Sequence, residues 1–91
     1  MSIEVNHDRA AQAFVASVDG HRCAIDYALS GKTMTITHTR VPEAVGGRGI
    51  AADLTRAALA AVRAEGWKVV PACSYVSSFI ERHAEYADLL A

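Results

Sequence analysis

The chain has 91 residues, 52% of them apolar, with nine basic and ten acidic side chains and a net charge of −1 at neutral pH. That length holds one small domain, residues 1–91, able to bury roughly 60–65% of the surface its unfolded chain exposes. The scattered, balanced charge leaves no footprint for nucleic acid. No apolar run reaches the ~20 residues a membrane span needs, and Met1-Ser2-Ile3-Glu4 has no signal-peptide pattern, so a cytoplasmic protein is expected.

Ile3 and Val5 alternate with polar neighbours and predict a short first strand. Gln12 to Val18 follows, with Phe14, Ala16 and Val18 on one face. Asp19-Gly20 is a two-residue hairpin signal. Cys23, Ile25, Tyr27 and Leu29 then alternate with Arg22, Ala24, Asp26 and Ala28 in a third strand. After the turn at Ser30-Gly31-Lys32, the β-branched run Thr33 to Val41 predicts a fourth, on which Met34, Ile36 and His38 share a face. Pro42 ends it. Ala51 to Glu65 carries a helical stripe of Leu54, Ala58, Ala61 and Val62, closed by Gly66. Trp67 to Val70 is a fifth strand stopped by Pro71. Ser74 is placed to cap a helix over Tyr75 to His83, with Val76, Phe79 and Ile80 inward. The tail Ala84 to Ala91 predicts one more helical turn, docking through Tyr86, Leu89 and Leu90. The fold class is α+β: an antiparallel meander, then helix, strand and helix. The fourth and fifth strands are parallel and joined right-handedly by the helical crossover.

Between the fourth strand and the first helix stand Gly46, Gly47, Arg48 and Gly49, then Ile50 and Ala51. Glycines there let backbone N–H groups approach an anion, and the positive end of the helix faces the same place. A phosphate-binding P-loop needs Lys-Ser/Thr after its last glycine and finds Ile50-Ala51 instead. A dinucleotide fingerprint would have to follow the first strand of a βαβ unit, whereas here a meander comes first. An ordinary glycine turn before a helix and an acyl-coenzyme A site remain.

The block His38-Thr39-Arg40-Val41-Pro42-Glu43, the loop through Ala51, Leu54, the run Gly66-Trp67-Lys68-Val69-Val70-Pro71-Ala72-Cys73-Ser74-Tyr75-Val76, and Ile80, His83 and Tyr86 resemble one family. It is the small, single-domain acetyltransferase-like branch of the GNAT superfamily of acyl-CoA N-acyltransferases, and the resemblance covers roughly residues 20–90. It implies a minimal acyltransferase fold in which the fourth and fifth strands splay apart. Pantetheine would lie in the opening against the backbone of Thr39 to Val41. The N–H groups of Gly46, Gly47, Arg48, Gly49, Ile50 and Ala51 would hold the pyrophosphate, with Arg48 adding charge and Cys73 and Ser74 beside the cofactor. The superfamily loop opens on Arg or Gln, where this chain has Gly46. The implied activity is acetyl transfer from acetyl-CoA to an amine of unknown identity. The alternative is a non-catalytic module that binds coenzyme A or acts by protein contact.

Acyl transfer to an amine needs a neutral amine, a donor to the carbonyl oxygen and a proton for the leaving thiolate. A backbone N–H around Val41 is a candidate donor. Cys73, expected at a helix N-terminus where thiolates are favoured, is the candidate nucleophile of an acyl-enzyme or the acid for departing coenzyme A; a small buried hydrophobe is the other reading. His38 is a candidate base or a structural histidine. Tyr86 is an alternative acid or a docking residue, Glu43 a base or a loop brace, and Tyr75 a pocket wall. Cys23 reads as core, His7 and His21 as solvated. No histidine pair has metal-ligand spacing, so no metal is expected.

Overall fold

A computed structural model describes residues 3–91, so the reading of Met1 and Ser2 lies outside it. Two tight turns organise the meander. Asp19 (φ 49°) and Gly20 (φ 77°) both adopt positive φ, the type I′ pattern that matches strand twist, and they join β2 (Ala13–Val18) to β3 (His21–Ser30). Gly31 at φ 60° turns β3 into β4 (Thr33–Arg40). β1 is Asn6–Asp8, later in the chain than the predicted Ile3-Val5 strand. The Asp8 carboxylate accepts from the N–H of Ala11 and turns the chain there, so pairing with β2 falls on residues 6–8, while Ile3 and Val5 pack on the core margin. His7, expected in solvent, is half-buried. It stacks on Phe14 (4.1 Å between centroids) and lies 2.7 Å from the Tyr27 hydroxyl.

The sheet runs β1-β2-β3-β4-β5, antiparallel except where β5 (Lys68–Pro71) lies parallel to β4. The crossover is α1 (Ile50–Glu65). Its Ile50, Leu54, Ala58 and Val62 recur every four residues, and Leu59 widens the stripe; Ala61 is only half-buried. They meet Phe14, Ile25, Met34 and Ile36 of the sheet in one core, which Val76, Phe79 and Ile80 of α2 (Ser74–Arg82) and Leu89 complete. Each such aliphatic side chain, buried, contributes about 2 kcal/mol. Gly66 (φ 73°) ends α1 by donating to Val62 and Arg63, and Trp67 N–H also returns to Val62.

The tail Ala84–Leu89 is a 3₁₀ helix. Arg63 clamps it through both Asp88 carboxylate oxygens (2.9 and 3.1 Å) and the Glu85 carbonyl. Leu89 is buried, but Leu90 is 41% exposed rather than docked, because it turns outward to bridge Val69 at the free edge of β5.

One irregularity positions the site. Asp26 pairs with His38, but Tyr27 pairs with Ile36, leaving Thr37 as an extra residue in β4. A one-residue bulge reverses the alternation beyond it. Thr39, opposite Ile25, therefore shares the face of Ile36, and His38 is turned to the other face. The expectation that His38 accompanies Met34 and Ile36 is overturned on this point.

Candidate functional site

β5 stops pairing with β4 at Ile36–Pro71, while β4 runs on through Thr37 to Arg40 with no β5 partner. Where they part, Cys73 N–H donates to the Ile36 carbonyl at 3.0 Å, pinning the start of α2 against β4. Cys73, not Ser74, is the N-cap: its backbone is extended (φ −81°, ψ 129°) and its carbonyl accepts from Ser77 N–H. Ser74 becomes the exposed first residue of the helix.

The half-buried Cys73 sulfur sits 3.4 Å from Thr39 Oγ1. Burial pushes the thiol pKa up. The Thr39 hydroxyl and the N–H groups of Val76, Tyr75 and Thr39 favour the thiolate and outweigh burial, so the net direction is downward. No first-turn N–H makes a geometric hydrogen bond to the sulfur. The helix amides thus act as converging dipoles, and the Thr39 hydroxyl is the one directed side-chain contact. Cys23, by contrast, is fully buried in the core.

Past β4, Val41 packs against the core and a 3₁₀ turn over Glu43–Val45 anchors the loop through buried Val45. Glu43 is exposed and braces the loop with its carbonyl, which accepts from Gly46 N–H at 3.1 Å. Gly46 is extended (φ −65°), whereas Gly47 and Gly49 both sit at φ 78°, where a side chain is strained. Gly49 is the N-cap of α1 and has no side chain to bond the first-turn N–H groups. Ile50 is buried and Ala51 half-buried, so this segment offers backbone donors and little else. Arg48, expected to face the anion, pairs with Asp19 of the β2–β3 turn at 2.6 Å. Both partners are exposed, so the pair is worth about 0.2–1 kcal/mol. Asp53 in the first turn of α1 pairs with Arg56 at 3.4 Å.

His38 is exposed and lies 3.2 Å from the Thr37 hydroxyl, on the face of Asp26, whose Oδ2 is 2.7 Å from Arg40 Nε without hydrogen-bond geometry. Tyr75, Phe79, His83 and Tyr86 form an aromatic row, with His83 stacked on Phe79 at 4.0 Å and its Nδ1 2.7 Å from the Phe79 carbonyl. Tyr86 follows the far end of α2, a helix about 13 Å long, and docks there rather than at Cys73. A cavity of about 250 Å³ opens between Pro71, Ser77, Ile80, Glu81, Ala84 and Leu90. It includes neither Cys73 nor the glycine loop, so the junction where β4 and β5 part lies outside it.

The residues around this junction suit an acylated pantetheine nucleotide: a strand end unpaired with β5, free helix N–H groups behind positive-φ glycines, and a thiol held at the junction. Two features were not expected from sequence. They are the side chain of Thr39, considered only for its backbone, and the bulge that turns it. The sole trace is the polar run Thr37-His38-Thr39-Arg40, where alternation lapses. Among the described residues no helix is long and apolar enough to cross a membrane, and no cluster of metal-binding side chains occurs.

A family model for GCN5-related N-acetyl-transferase matches residues 13–89. The chain is 36% identical over 85 residues to Protein NATD1 of Xenopus tropicalis, covering 90% of this chain and 78% of that protein. It is 36% identical over 84 residues to the Homo sapiens protein of the same name, covering 89% and 74%. A solution structure of a GCN5-like putative N-acetyltransferase from Staphylococcus aureus superposes with a TM-score of 0.76 at 22% identity, over 99% of this chain and 89% of that one. That likeness concerns the fold.

Proposed function

The chain belongs to the GCN5-related N-acetyltransferase family, and from that premise we propose that it takes acetyl from acetyl-CoA, as a substrate, and passes it to an amine through Cys73. The observation that carries the reading is the seat of Cys73: N-cap of α2, tied by its own N–H to Ile36 where β4 and β5 separate. In this reading, Gly46, Gly47, Arg48, Gly49, Ile50 and Ala51 hold the pyrophosphate by backbone N–H groups, and Thr39 to Val41 pair with pantetheine. The Cys73 thiolate attacks the thioester carbonyl; the carbon–sulfur bond to coenzyme A breaks, and coenzyme A leaves as a thiolate that takes a proton from water. A neutral amine then attacks the Cys73 thioester, its surplus proton passes to solvent, and the Cys73 thiolate is restored. A backbone N–H around Val41, at the end of β4, is the donor to the developing oxyanion in this reading. His38 is left out, because the bulge turns it to the opposite face.

A second reading, a coenzyme A-binding module without turnover, is favoured by one observation: Gly46 supplies no side chain where the superfamily loop has Arg or Gln. Isothermal titration with acetyl-CoA tests the binding common to both. Heat of binding supports them, and no heat at millimolar ligand refutes both.

A further inference from the structure

We infer that Thr39 is a positioning residue for Cys73, its hydroxyl donating to the sulfur and so fixing the thiolate at the junction of β4 and β5. The inference rests on the proposed role of Cys73 but is separable from it in test. Three observations converge. The hydroxyl oxygen is 3.4 Å from the sulfur. The bulge at Thr37 is what brings Thr39 onto this face, since strict alternation through Thr37 would put it opposite. The main chain of Cys73 is independently anchored to Ile36, so the two side chains meet from fixed backbones instead of by rotamer chance. Either atom can donate while the sulfur is protonated. Once it is a thiolate only Thr39 retains a proton, and the bond becomes charge-assisted and stronger.

Among the described residues no charged side chain competes for this role. On the neighbouring elements, Arg40 of β4 faces Asp26, Lys68 of β5 bonds the Asp88 carbonyl, and Asp53 and Arg56 of α1 face each other. On α2, Arg82 turns to the Ser78 carbonyl and Glu81 lines the separate cavity. His38 is on the far face. The thiolate is therefore held by neutral donors, and removing the hydroxyl has no ion pair to mask it.

The test is the pH dependence of Cys73 alkylation by iodoacetamide in the full chain, with Cys73→Ala as blank and thermal melting as the fold control. Thr39→Val, which keeps shape and loses the hydroxyl, is expected to raise the alkylation midpoint by about one pH unit and to slow the rate at pH 7 several-fold. Thr39→Ser is expected to keep the wild-type midpoint. A folded Thr39→Val variant with the wild-type midpoint overturns the inference. Should Thr39→Val not fold, the unmutated protein decides by NMR. The Thr39 Cβ, which carries the hydroxyl, must titrate with the same midpoint as Cys73 Cβ, and a Thr39 Cβ indifferent to that titration overturns it. None of this requires coenzyme A, so a failed titration with acetyl-CoA would refute the proposed function while leaving the alkylation result to decide Thr39.

Discussion

The Thr39 hydroxyl and the Cys73 sulfur lie 3.4 Å apart although 34 residues separate them, and they meet because Thr37 bulges out of the β3–β4 pairing. The thiol consequently stands among neutral donors that overcome the cost of its burial.

A lowered thiol pKa fixes the sign of its pH dependence. Cys73 alkylation is expected to rise with pH through a midpoint below the ordinary thiol range and to level off before a free cysteine does. Linkage follows the same sign. Thiolate stabilisation is fully present above the unfolded thiol pKa and is lost as pH falls through the folded one. The melting temperature of wild type relative to Cys73→Ala, followed from pH 6 to 10, should therefore increase toward the alkaline end.

Gly46 has φ −65°, and a Cβ there would meet its nearest neighbour, the Glu43 carbonyl oxygen, at 3.4 Å. Gly46→Arg should leave stability within about 0.5 kcal/mol, as for an open surface site, and tighten acetyl-CoA binding several-fold in calorimetry. Gly47→Ala and Gly49→Ala, at φ 78°, should each cost about 1–2 kcal/mol in urea unfolding and weaken binding by disturbing the loop.

Asp19→Asn keeps a turn residue tolerant of positive φ and releases Arg48 from its 2.6 Å pair. Acetyl-CoA affinity is expected to rise about two- to threefold at low ionic strength and to return to the wild-type value in high salt. An unchanged affinity in calorimetry would remove Arg48 from the pyrophosphate site.

His38→Ala should leave acetylation of Cys73 within about twofold of wild type, because the imidazole faces away from the sulfur. Deleting Thr37 removes the bulge yet leaves Thr39 two places after Ile36, so plain alternation keeps it opposite Ile25 and on the face of Cys73. Acetylation measured by intact mass should then stay within about threefold of wild type where circular dichroism retains the fold.

Much of this architecture was legible because its signals are local. Asp19-Gly20 announces its own turn, the alternation of Cys23, Ile25 and Tyr27 survives into the strand, and Leu54, Ala58 and Val62 define the buried face of α1. The departures come from interactions between segments. β1 was displaced because Asp8 turns the chain and β2 chooses the pairing register; Leu90 turned outward because it joins the β5 edge. The glycine loop could be located by composition, but neither the Arg48–Asp19 pair nor the difference between Gly46 and its neighbours is written in residue identity. At the junction, a β-branched run reads as uninterrupted strand, so the bulge at Thr37 was invisible, and with it the exchange of His38 for Thr39 beside Cys73.

The most direct test of the central claim is intact-protein mass spectrometry after incubation with acetyl-CoA, with peptide mapping and a subsequent chase with primary amines. The expected result is one acetyl group on Cys73, absent from Cys73→Ala and discharged by an amine that becomes acetylated. Binding of acetyl-CoA with Cys73 left unmodified, and with no amine acetylated, would contradict it and leave a coenzyme A-binding module in its place.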